Sequence, residues 1–438
     1  MEFDPLYYRA AGGGVEVPNS PDESFARELD ARDPLARFRE DYLIPRSPAG
    51  QPVIYFCGNS LGLQPRAARS LINEELDEWA GRGVDGHFHG LRPWYGYHEL
   101  FRDSGARLVG ALPGEVVMMN TLTVNLHLMI ATFYRPTRER YKILVEYPAF
   151  PSDTYAVKSQ LALHGFDPAD VLVTVGPRTG EHVIRSEDTL SVLQREGDRI
   201  ALVLLAGVNF FTGQVLDMAA ITAAAHRCGC TVGWDLAHAA GNVPLALHDW
   251  SVDFAVWCNY KYLNSGPGAV AGCFVHEKHG KNLTMPRLAG WWGNDPDSRF
   301  LMHLLPDFVP REGADGWQVS NPPIFSLAPV KASLDIFEAA GIEALRSKSV
   351  RLTGFLRSLI DRLGADRFEI ITPREESGHG CQLSILVGER PRELFQALQA
   401  ESVICDFREP NVIRVAPVPL YNTFLEAWKF VQVLGRHK

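Results

Sequence analysis

Two neighbouring stretches of the chain, TVGWDLAHAAG (231–241) and DFAVWCNYKYLNSGPG (253–268), decide its fold class. Each begins with a short run of apolar residues. The same kind of run recurs earlier in the chain, at 143–145, 171–175 and 200–205. Helical stretches separate several of these runs, for example at 187–196 and 217–228. Continuously apolar strands that alternate with helices predict an α/β protein with a mostly parallel sheet covered on both faces.

Charged residues follow two of the predicted strands. Asp235 ends the first strand, and Lys261 follows the second strand just before a glycine-rich loop (266–268). Parallel-sheet proteins bind ligands at the carboxyl ends of their strands. An acid and a lysine there describe a pyridoxal 5'-phosphate (PLP) site, in which the lysine forms the Schiff base and the carboxylate pairs with the pyridinium nitrogen. For either residue alone, a turn-capping aspartate or a solvated lysine is the better interpretation; the pair favours PLP.

Two further segments fit the same site. NTLTVN (120–125) precedes an apolar helical run, so its backbone N–H groups and hydroxyls are placed to hold a phosphate. The alternative is a plain threonine N-cap. Phe150 and Asp153 follow the strand that ends at residue 146, where the ring can stack on a pyridine and the acid can cap the next helix. A core aromatic explains Phe150 equally well.

The order of predicted elements changes after about residue 310. Helices at 329–340 and 342–363 precede a group of strands at 368–371, 382–387, 402–406 and 413–416. The first 50 residues contain several glycines and prolines and one helical stretch, 23–31. We therefore predict an N-terminal arm (1–50) on the body, a large PLP-binding domain (51–310) and a smaller C-terminal α+β domain (311–438).

Composition excludes several classes of protein. The 438 residues include 43 basic and 52 acidic side chains, a net charge of −9 without a basic cluster, which argues against nucleic acid as a main partner. The seven cysteines are an odd number in mostly apolar runs and predict free thiols in a reducing compartment; none has metal-site spacing, so we predict no metal. The longest apolar run, 200–211, is shorter than the roughly 20 residues that span a bilayer. A cytoplasmic protein without a membrane partner is expected.

One motif points to a different chemistry. GNSLG (58–62) matches the G-x-S-x-G nucleophile elbow of serine hydrolases and lies between a predicted strand and a predicted helix. However, only one strand precedes it, and the acid and base candidates Asp235 and His238 are just three residues apart. The alternative is a glycine turn that lets the backbone approach a ligand closely.

Together, several segments resemble the kynureninase family. These are GNSLG (58–62), TLTVNLH (121–127), FPSD (150–153), GWDLAHAAGN (233–242), WCNYKYLNSGPG (257–268), GWWG (290–293), SNPP (320–323) and RVAPVPLYN (414–422). The resemblance runs from about residue 50 to the C-terminus. It implies a fold-type-I PLP enzyme that hydrolyses L-kynurenine to anthranilate and L-alanine, with 3-hydroxykynurenine, which would give 3-hydroxyanthranilate, as the alternative substrate.

The resemblance also implies the roles of individual residues. Lys261 is then the Schiff-base lysine and general base, and Tyr260 is a phosphate ligand and proton donor. The other cofactor-binding residues that it implies within one chain are Leu122, Thr123, Phe150, Asp153, Asp235 and His238. Arg414 matches the arginine that binds the substrate carboxylate, and His87 matches a position near the aryl ketone.

Kynureninases build their active site across a homodimer, so the resemblance implies that Trp291 and Asn321 reach the cofactor and substrate from the partner subunit. One departure is Ala206, where some family members have a serine that contacts the cofactor; it puts one hydrogen bond to PLP in doubt. A cysteine desulfurase or an aminotransferase of the same fold type is the closer alternative, and a serine hydrolase using Ser60 is the more distant one.

Overall fold

The structure, a computed structural model, describes residues 21–437 and has a large domain built on a seven-stranded sheet. The strands of this part of the chain are β1 (Tyr42–Leu43), β2 (Ile54–Tyr55), β3 (Gln64–Pro65), β4 (Val116–Met118), β5 (Lys142–Glu146), β6 (Leu172–Val175), β7 (Ile200–Ala206), β8 (Thr231–Asp235), β9 (Phe254–Trp257) and β10 (Gly272–Val275). The large sheet has the order β4-β10-β9-β8-β7-β5-β6. Its strands β5 to β9 are parallel, whereas β10 is antiparallel to both β4 and β9. The predicted mostly parallel sheet is confirmed.

Helices cover both faces of the large sheet. The helices of this part of the chain are α1 (Glu23–Ala31), which packs on the smaller unit described below, α2 (Ala67–Arg82), α3 (Arg102–Val109), α4 (Leu122–Phe133), α5 (Pro151–Leu163), α6 (Pro168–Val171), α7 (Ser186–Glu196), α8 (Met218–Arg227) and α9 (Glu277–Gly280). Successive residues of a strand point to opposite faces, so Leu202 and Leu204 of β7 enter one core while Val203 and Leu205 enter the other. Burial on both faces explains why the sequence of these strands is continuously apolar.

The C-terminal part of the chain forms a smaller α+β unit. Its elements are α10 (Ile324–Ala340), α11 (Ile342–Asp361), β11 (Phe368–Ile370), β12 (Leu383–Val387), α12 (Pro391–Ala400), β13 (Val403–Ile404), β14 (Asp406–Arg408), β15 (Val412–Val415) and α13 (Phe424–Arg436). Four of these strands make an antiparallel sheet in the order β11-β12-β15-β14. The single strand predicted at 402–406 is therefore wrong, because β13 pairs with β2 instead and only β14 joins this sheet.

The N-terminal segment packs against this smaller unit. Ala26 and Leu29 of α1 lie in the same apolar core as Phe355 of α11. The Asp30 carboxylate accepts hydrogen bonds from the backbone N–H groups of Phe424 and Leu425 at 2.7 and 3.0 Å, and so caps the N-terminus of α13. Residues 1–20 of the predicted arm lie outside the described residues, and the domain boundaries remain predictions.

Two helix starts differ from the sequence-based prediction. The helix expected from Pro65 begins at Ala67, because Pro65 pairs with Tyr42 in the short β1–β3 ladder. The helix expected from Pro329 begins five residues earlier, at Ile324. None of the helices within residues 21–437 is both long enough and apolar enough to cross a bilayer.

Candidate active site

A cavity lies at the carboxyl ends of β5, β7 and β8. The loop that follows β9 also contributes to its walls. These walls come from five segments of the chain, with the residues Leu122, Thr123, Phe150, Ser152, Asp153, Ala206, Val208, Phe210, Asp235, Ala237, His238, Tyr260 and Lys261. Eight of the residues that the resemblance implies for the cofactor within one chain thus lie together. Their convergence follows from the parallel sheet, since strands that run in the same direction end at the same edge.

Lys261 is the central cation of this cavity. Its Nζ lies 3.1 Å from Nε2 of His238 and 5.6 Å from the centre of the Phe150 ring. Lys261 is 9% exposed and His238 is 6% exposed. Burial, together with the neighbouring Lys261, holds the pKa of His238 well below its ordinary value, so the imidazole is neutral. A neutral imidazole beside the lysine adds no second positive charge to the site.

Three buried carboxyl groups lie in or beside this cavity: Asp235 and Glu146 each end a strand, and Asp153 is in the first turn of α5. Asp235 ends β8 and accepts a hydrogen bond from the backbone N–H of Ala237 at 2.7 Å. Burial and the negative charge of Asp235 raise the pKa of Asp153 well above its ordinary value, against a smaller opposite effect of Lys261. Glu146 ends β5, and its Oε2 accepts from the backbone N–H of Ala206 at 3.1 Å. Burial raises the pKa of Glu146 to about 7.

The first turn of α4 forms a second wall. Its N-cap residue, Thr121, makes no side-chain hydrogen bond to the helix, so the side chain leaves the first backbone N–H groups uncapped. The hydroxyls of Thr123 and Ser152 lie 3.1 Å apart beside this turn. Backbone N–H groups at a helix N-terminus, together with two hydroxyls, are the donor set that binds a phosphate.

These residues fit PLP in both charge and hydrogen-bonding capacity. The helix N-terminus suits the phosphate, the aromatic ring of Phe150 suits the pyridine, and the carboxyl groups suit a protonated ring nitrogen. Two buried polar atoms at this site, Oδ1 of Asp153 and Nδ1 of His238, have no hydrogen-bond partner in the protein. A polar ligand in this cavity would supply hydrogen-bond partners for both atoms.

Arg414, the predicted substrate-carboxylate ligand, lies on β15 behind the wall of this cavity. Its side chain is 1% exposed, and its Nη1 donates a hydrogen bond to the backbone carbonyl of Phe210. The ring of Phe210 in turn packs edge-on against Phe150, with the ring centres 5.4 Å apart. The small C-terminal sheet thereby places an arginine next to the residues that line the cofactor cavity.

Three other predicted site residues do not line this cavity. Trp291 is 38% exposed and packs against Trp292, and Asn321 is also exposed. His87 is half-buried, and its ring packs edge-on against Trp94 at 5.4 Å. The structure of one chain does not bring these residues to the cofactor cavity.

The GNSLG turn serves close packing. Gly62 donates its N–H to the backbone carbonyl of Tyr260 at 2.8 Å, and a Cβ atom on Gly62 would lie 2.4 Å from the carbonyl oxygen of Lys261. Asp235 and His238 face the cofactor cavity and not Ser60, which is exposed. The turn thus lets the backbone approach the lysine loop, as the alternative interpretation proposed.

Two residues in or beside this site carry only a weak signal in the sequence. Glu146 was noticed only as the end of a strand, although an acid that ends an apolar strand of a parallel sheet is itself a signal for a ligand site. Phe210 stands at the end of a long apolar run and gave no separate signal.

Comparison with solved structures identifies the fold. A cysteine desulfurase of Thermococcus onnurineus NA1 has a TM-score of 0.73 and 19% identity, and the match covers 93% of this chain and 98% of that chain. A variant of the C-DES protein, with glycine covalently linked to its PLP cofactor, has a TM-score of 0.72 and 17% identity over 90% of this chain and 98% of that chain. At such identity the likeness shows only the fold, that of fold-type-I PLP enzymes. None of the seven free cysteines lines the cavity described above.

Sequence relatives are much more similar. Residues 345–434 match the family model described as "Kynureninase C-terminal domain". The chain is 55% identical over 415 residues to a kynureninase of Myxococcus xanthus (strain DK1622), which covers 95% of this chain and 97% of the relative. It is 54% identical over 410 residues to a kynureninase of Koribacter versatilis (strain Ellin345), which covers 94% of this chain and 96% of the relative. The chain therefore belongs to the kynureninase family.

Proposed function

We propose that this protein hydrolyses L-kynurenine to anthranilate and L-alanine, with PLP held in the cavity around Lys261. The observation that carries this proposal is the convergence of the lysine, the acids and the phosphate-binding turn in a chain that is more than half identical to kynureninases. When it is bound, PLP supplies the electron sink that makes the Cβ–Cγ bond of the substrate breakable. The chain supplies binding, orientation and proton transfer.

The residues around the cavity divide the task of holding the cofactor. The N–H groups of Leu122 and Thr123 and the hydroxyl of Thr123 would hold the phosphate at the N-terminus of α4. The aromatic side chain of Phe150 would hold the pyridine ring. The Asp235 carboxylate, supported by Asp153, would keep the ring nitrogen protonated, because a buried negative charge stabilises an adjacent positive one.

Proton transfer falls to Lys261 and Tyr260. The Lys261 amine is placed to remove the proton from the substrate Cα, and neutral His238 at 3.1 Å orients it through a hydrogen bond. Burial raises the pKa of Tyr260, so its hydroxyl keeps its proton at neutral pH. A protonated phenol beside the lysine can donate a proton to the alanine carbon once anthranilate has left.

Arg414 is the proposed ligand of the substrate α-carboxylate. A guanidinium offers parallel N–H groups that match the two oxygens of a carboxylate. Replacing Arg414 with glutamine is expected to raise KM with a smaller effect on kcat, and an unchanged KM would overturn this role.

We further propose that the active enzyme is a homodimer with shared sites. Support comes from Trp291 and Asn321, which family resemblance assigns to the site although neither lines the cavity of its own chain. Mixing Lys261→Ala with Asn321→Ala subunits tests this. If both variants are inactive alone, random pairing restores about a quarter of wild-type activity, because each mixed dimer contains one intact site. No gain of activity on mixing would mean that both residues act in the site of the same chain.

Location in the cytoplasm is also a proposal, supported by seven unpaired cysteines.

The direct test is an absorbance spectrum of the purified protein followed by turnover of L-kynurenine with identification of both products. Visible absorbance of bound PLP together with equal amounts of anthranilate and alanine is the expected result. Bound PLP without these products would indicate another fold-type-I activity. A colourless protein labelled at Ser60 by a fluorophosphonate probe would indicate a serine hydrolase.

A further inference from the structure

Arg414 belongs to a group of three charged side chains on two paired strands. Its Nε donates to Oδ1 of Asp406 at 2.9 Å. Arg408 approaches the same carboxylate from the other side, with Nε 2.9 Å from Oδ1 and Nη2 3.2 Å from Oδ2. Asp406 is thus shared between two arginines, one buried and one 39% exposed.

The pairing of β14 with β15 creates this arrangement. Asp406 lies directly opposite Arg414 in the antiparallel ladder, so both side chains are on one face of the sheet. Arg408 is two residues further along β14 and therefore points to the same face. Secondary structure brings all three charges together before any ligand binds.

The guanidinium of Arg414 is held at two of its nitrogens. Asp406 binds Nε, and the carbonyl of Phe210 binds Nη1. The remaining nitrogen, Nη2, makes no hydrogen bond within residues 21–437. Because the guanidinium is planar, fixing two nitrogens also fixes the direction of the third.

Charge explains why a second arginine is needed. Arg414 paired with Asp406 alone would be a neutral pair and would attract a substrate carboxylate weakly. With Arg408 the three side chains carry a net charge of +1, and a bound carboxylate brings the total to zero. Both arginines also act on the cofactor cavity, since their positive charges contribute, after burial and Lys261, to the low pKa of His238.

We propose that Asp406 and Arg408 are positioning residues for the substrate carboxylate. Asp406 orients the guanidinium of Arg414, and Arg408 neutralises Asp406 so that the charge of Arg414 remains available. This inference rests on the proposed function, because it requires Arg414 to bind the substrate.

The two roles are separated by variants with opposite effects on charge. Arg408→Gln lowers the net charge of the group to zero and is expected to raise KM for L-kynurenine about fivefold with little change in kcat, as for loss of one partly screened charge. Arg408→Lys keeps the charge and is expected to stay near wild type. Asp406→Asn makes the group more positive but releases the guanidinium, so KM is expected to rise about tenfold through loss of the charge-assisted hydrogen bond.

The direction of each change in KM tests the roles of Asp406 and Arg408 separately. A lower KM in Asp406→Asn would show that charge alone binds the substrate and would overturn the orienting role. Equal KM values for Arg408→Gln and Arg408→Lys would overturn the charge role. Arg408 is partly exposed, so this pair of variants keeps the inference testable if Asp406→Asn does not fold.

A matched control is Arg436→Gln, which removes an exposed arginine 2.9 Å from Glu401 on the same small domain. Its KM is expected to equal that of wild type. Arg414→Gln separates this inference from the proposed function. If Arg414→Gln leaves KM unchanged, the carboxylate site itself is wrong. If Arg414→Gln raises KM while the Asp406 and Arg408 variants behave like Arg436→Gln, only the present inference is wrong.

Discussion

Buried carboxylates at the amino and the carboxyl ends of the strands of the large sheet lie in contrasting surroundings. At the amino end, Asp253 accepts hydrogen bonds from His226 and His279 at 2.8 and 2.7 Å and from the backbone N–H of Val232 at 2.7 Å, and its Oδ1 lies 2.7 Å from Nζ of Lys278. Burial alone would raise the pKa of Asp253, but the hydrogen bonds from the two histidines and the interaction with Lys278 together outweigh burial and hold this pKa far below its ordinary value. Both oxygens of the Asp253 carboxylate therefore have hydrogen-bond or ion-pair partners within the protein.

At the carboxyl end, the acids near Lys261 have fewer partners. Glu146 accepts the Ala206 N–H, and Oδ1 of Asp153 is buried without a hydrogen-bond partner. Burial consequently raises the pKa of both groups. Within residues 21–437, the strand ends at which a positively charged ring nitrogen is proposed to bind thus hold two acids with raised pKa values, whereas Asp253 at the opposite end has a lowered pKa. This contrast distinguishes a binding site from a structural network.

A second group at the amino-end edge supports this distinction. Glu115, His248 and His276 place ligand atoms within 4.8 Å of one another, as a metal site would. Yet Glu115 already accepts from the backbone N–H groups of Leu112 and Glu277 at 2.8 Å and contacts Nδ1 of His248 at 2.9 Å. Nδ1 of His276 accepts from the backbone N–H of Lys278. All of these donor atoms are engaged, so we interpret the group as structural.

The largest expected effect comes from Lys261→Ala, which removes the cation that lines the cavity together with Asp153 and Asp235. Turnover of kynurenine should fall by more than about a thousandfold, because both cofactor attachment and proton transfer are lost. Product assays and the visible absorbance of bound PLP measure the effect. Lys331→Ala is the control, since Lys331 forms an exposed ion pair with Asp335 at 2.9 Å. Equal activity in the two variants would contradict the role of Lys261.

At the amino end of β9, Asp253→Asn should lower the stability of the protein without changing its catalytic turnover. Replacing a buried, fully bonded carboxylate is expected to cost about 3 kcal/mol in the free energy of unfolding. Urea unfolding measures this loss, while kcat of the folded enzyme should stay unchanged. Asp335→Asn, at a half-exposed position, should change stability little. A normal stability for Asp253→Asn would show that the hydrogen bonds of Asp253 carry little net energy.

The sequence predicts the residues at the carboxyl ends of the strands better than it predicts the hydrogen-bond network of Asp253. Asp235 and Lys261 were found because each follows a strongly apolar strand, and parallel strands end at one edge. The partners of Asp253 were not found, because a hydrogen bond such as His279 to Asp253 joins residues on separate turns whose positions depend on packing. Asp406 was assigned to a strand that ended before Arg408, since strand boundaries depend on pairing with β15, which is not local information.

The most specific prediction concerns Glu146→Gln in the cofactor-free protein. The pKa of Glu146 is about 7 in the folded protein and 4.5 in the reference state, so the folded protein holds this proton more tightly than the unfolded chain. Stability from Glu146 is therefore complete below pH 4.5, decreases as the pH rises towards 7 and is constant above that. Glutamine does not titrate, so between pH 6 and 8 wild type should lose about 1 kcal/mol relative to the variant.

Urea unfolding at pH 6, 7 and 8 measures this difference, and Asp253→Asn is the matched comparison. A lowered pKa gives stability that is present above the unfolded value of 3.8 and is lost only in more acidic solution. The loss in free energy of unfolding caused by Asp253→Asn should consequently be the same at pH 6 and pH 8. In contrast, the difference in free energy of unfolding between Glu146→Gln and wild type should grow with pH. Adding PLP should reduce that growth, because a protonated ring nitrogen stabilises the ionised acids. A pH-independent difference for Glu146→Gln would mean that Glu146 is as well satisfied as Asp253. The contrast between the amino and the carboxyl ends of the strands would then rest on Asp153 alone.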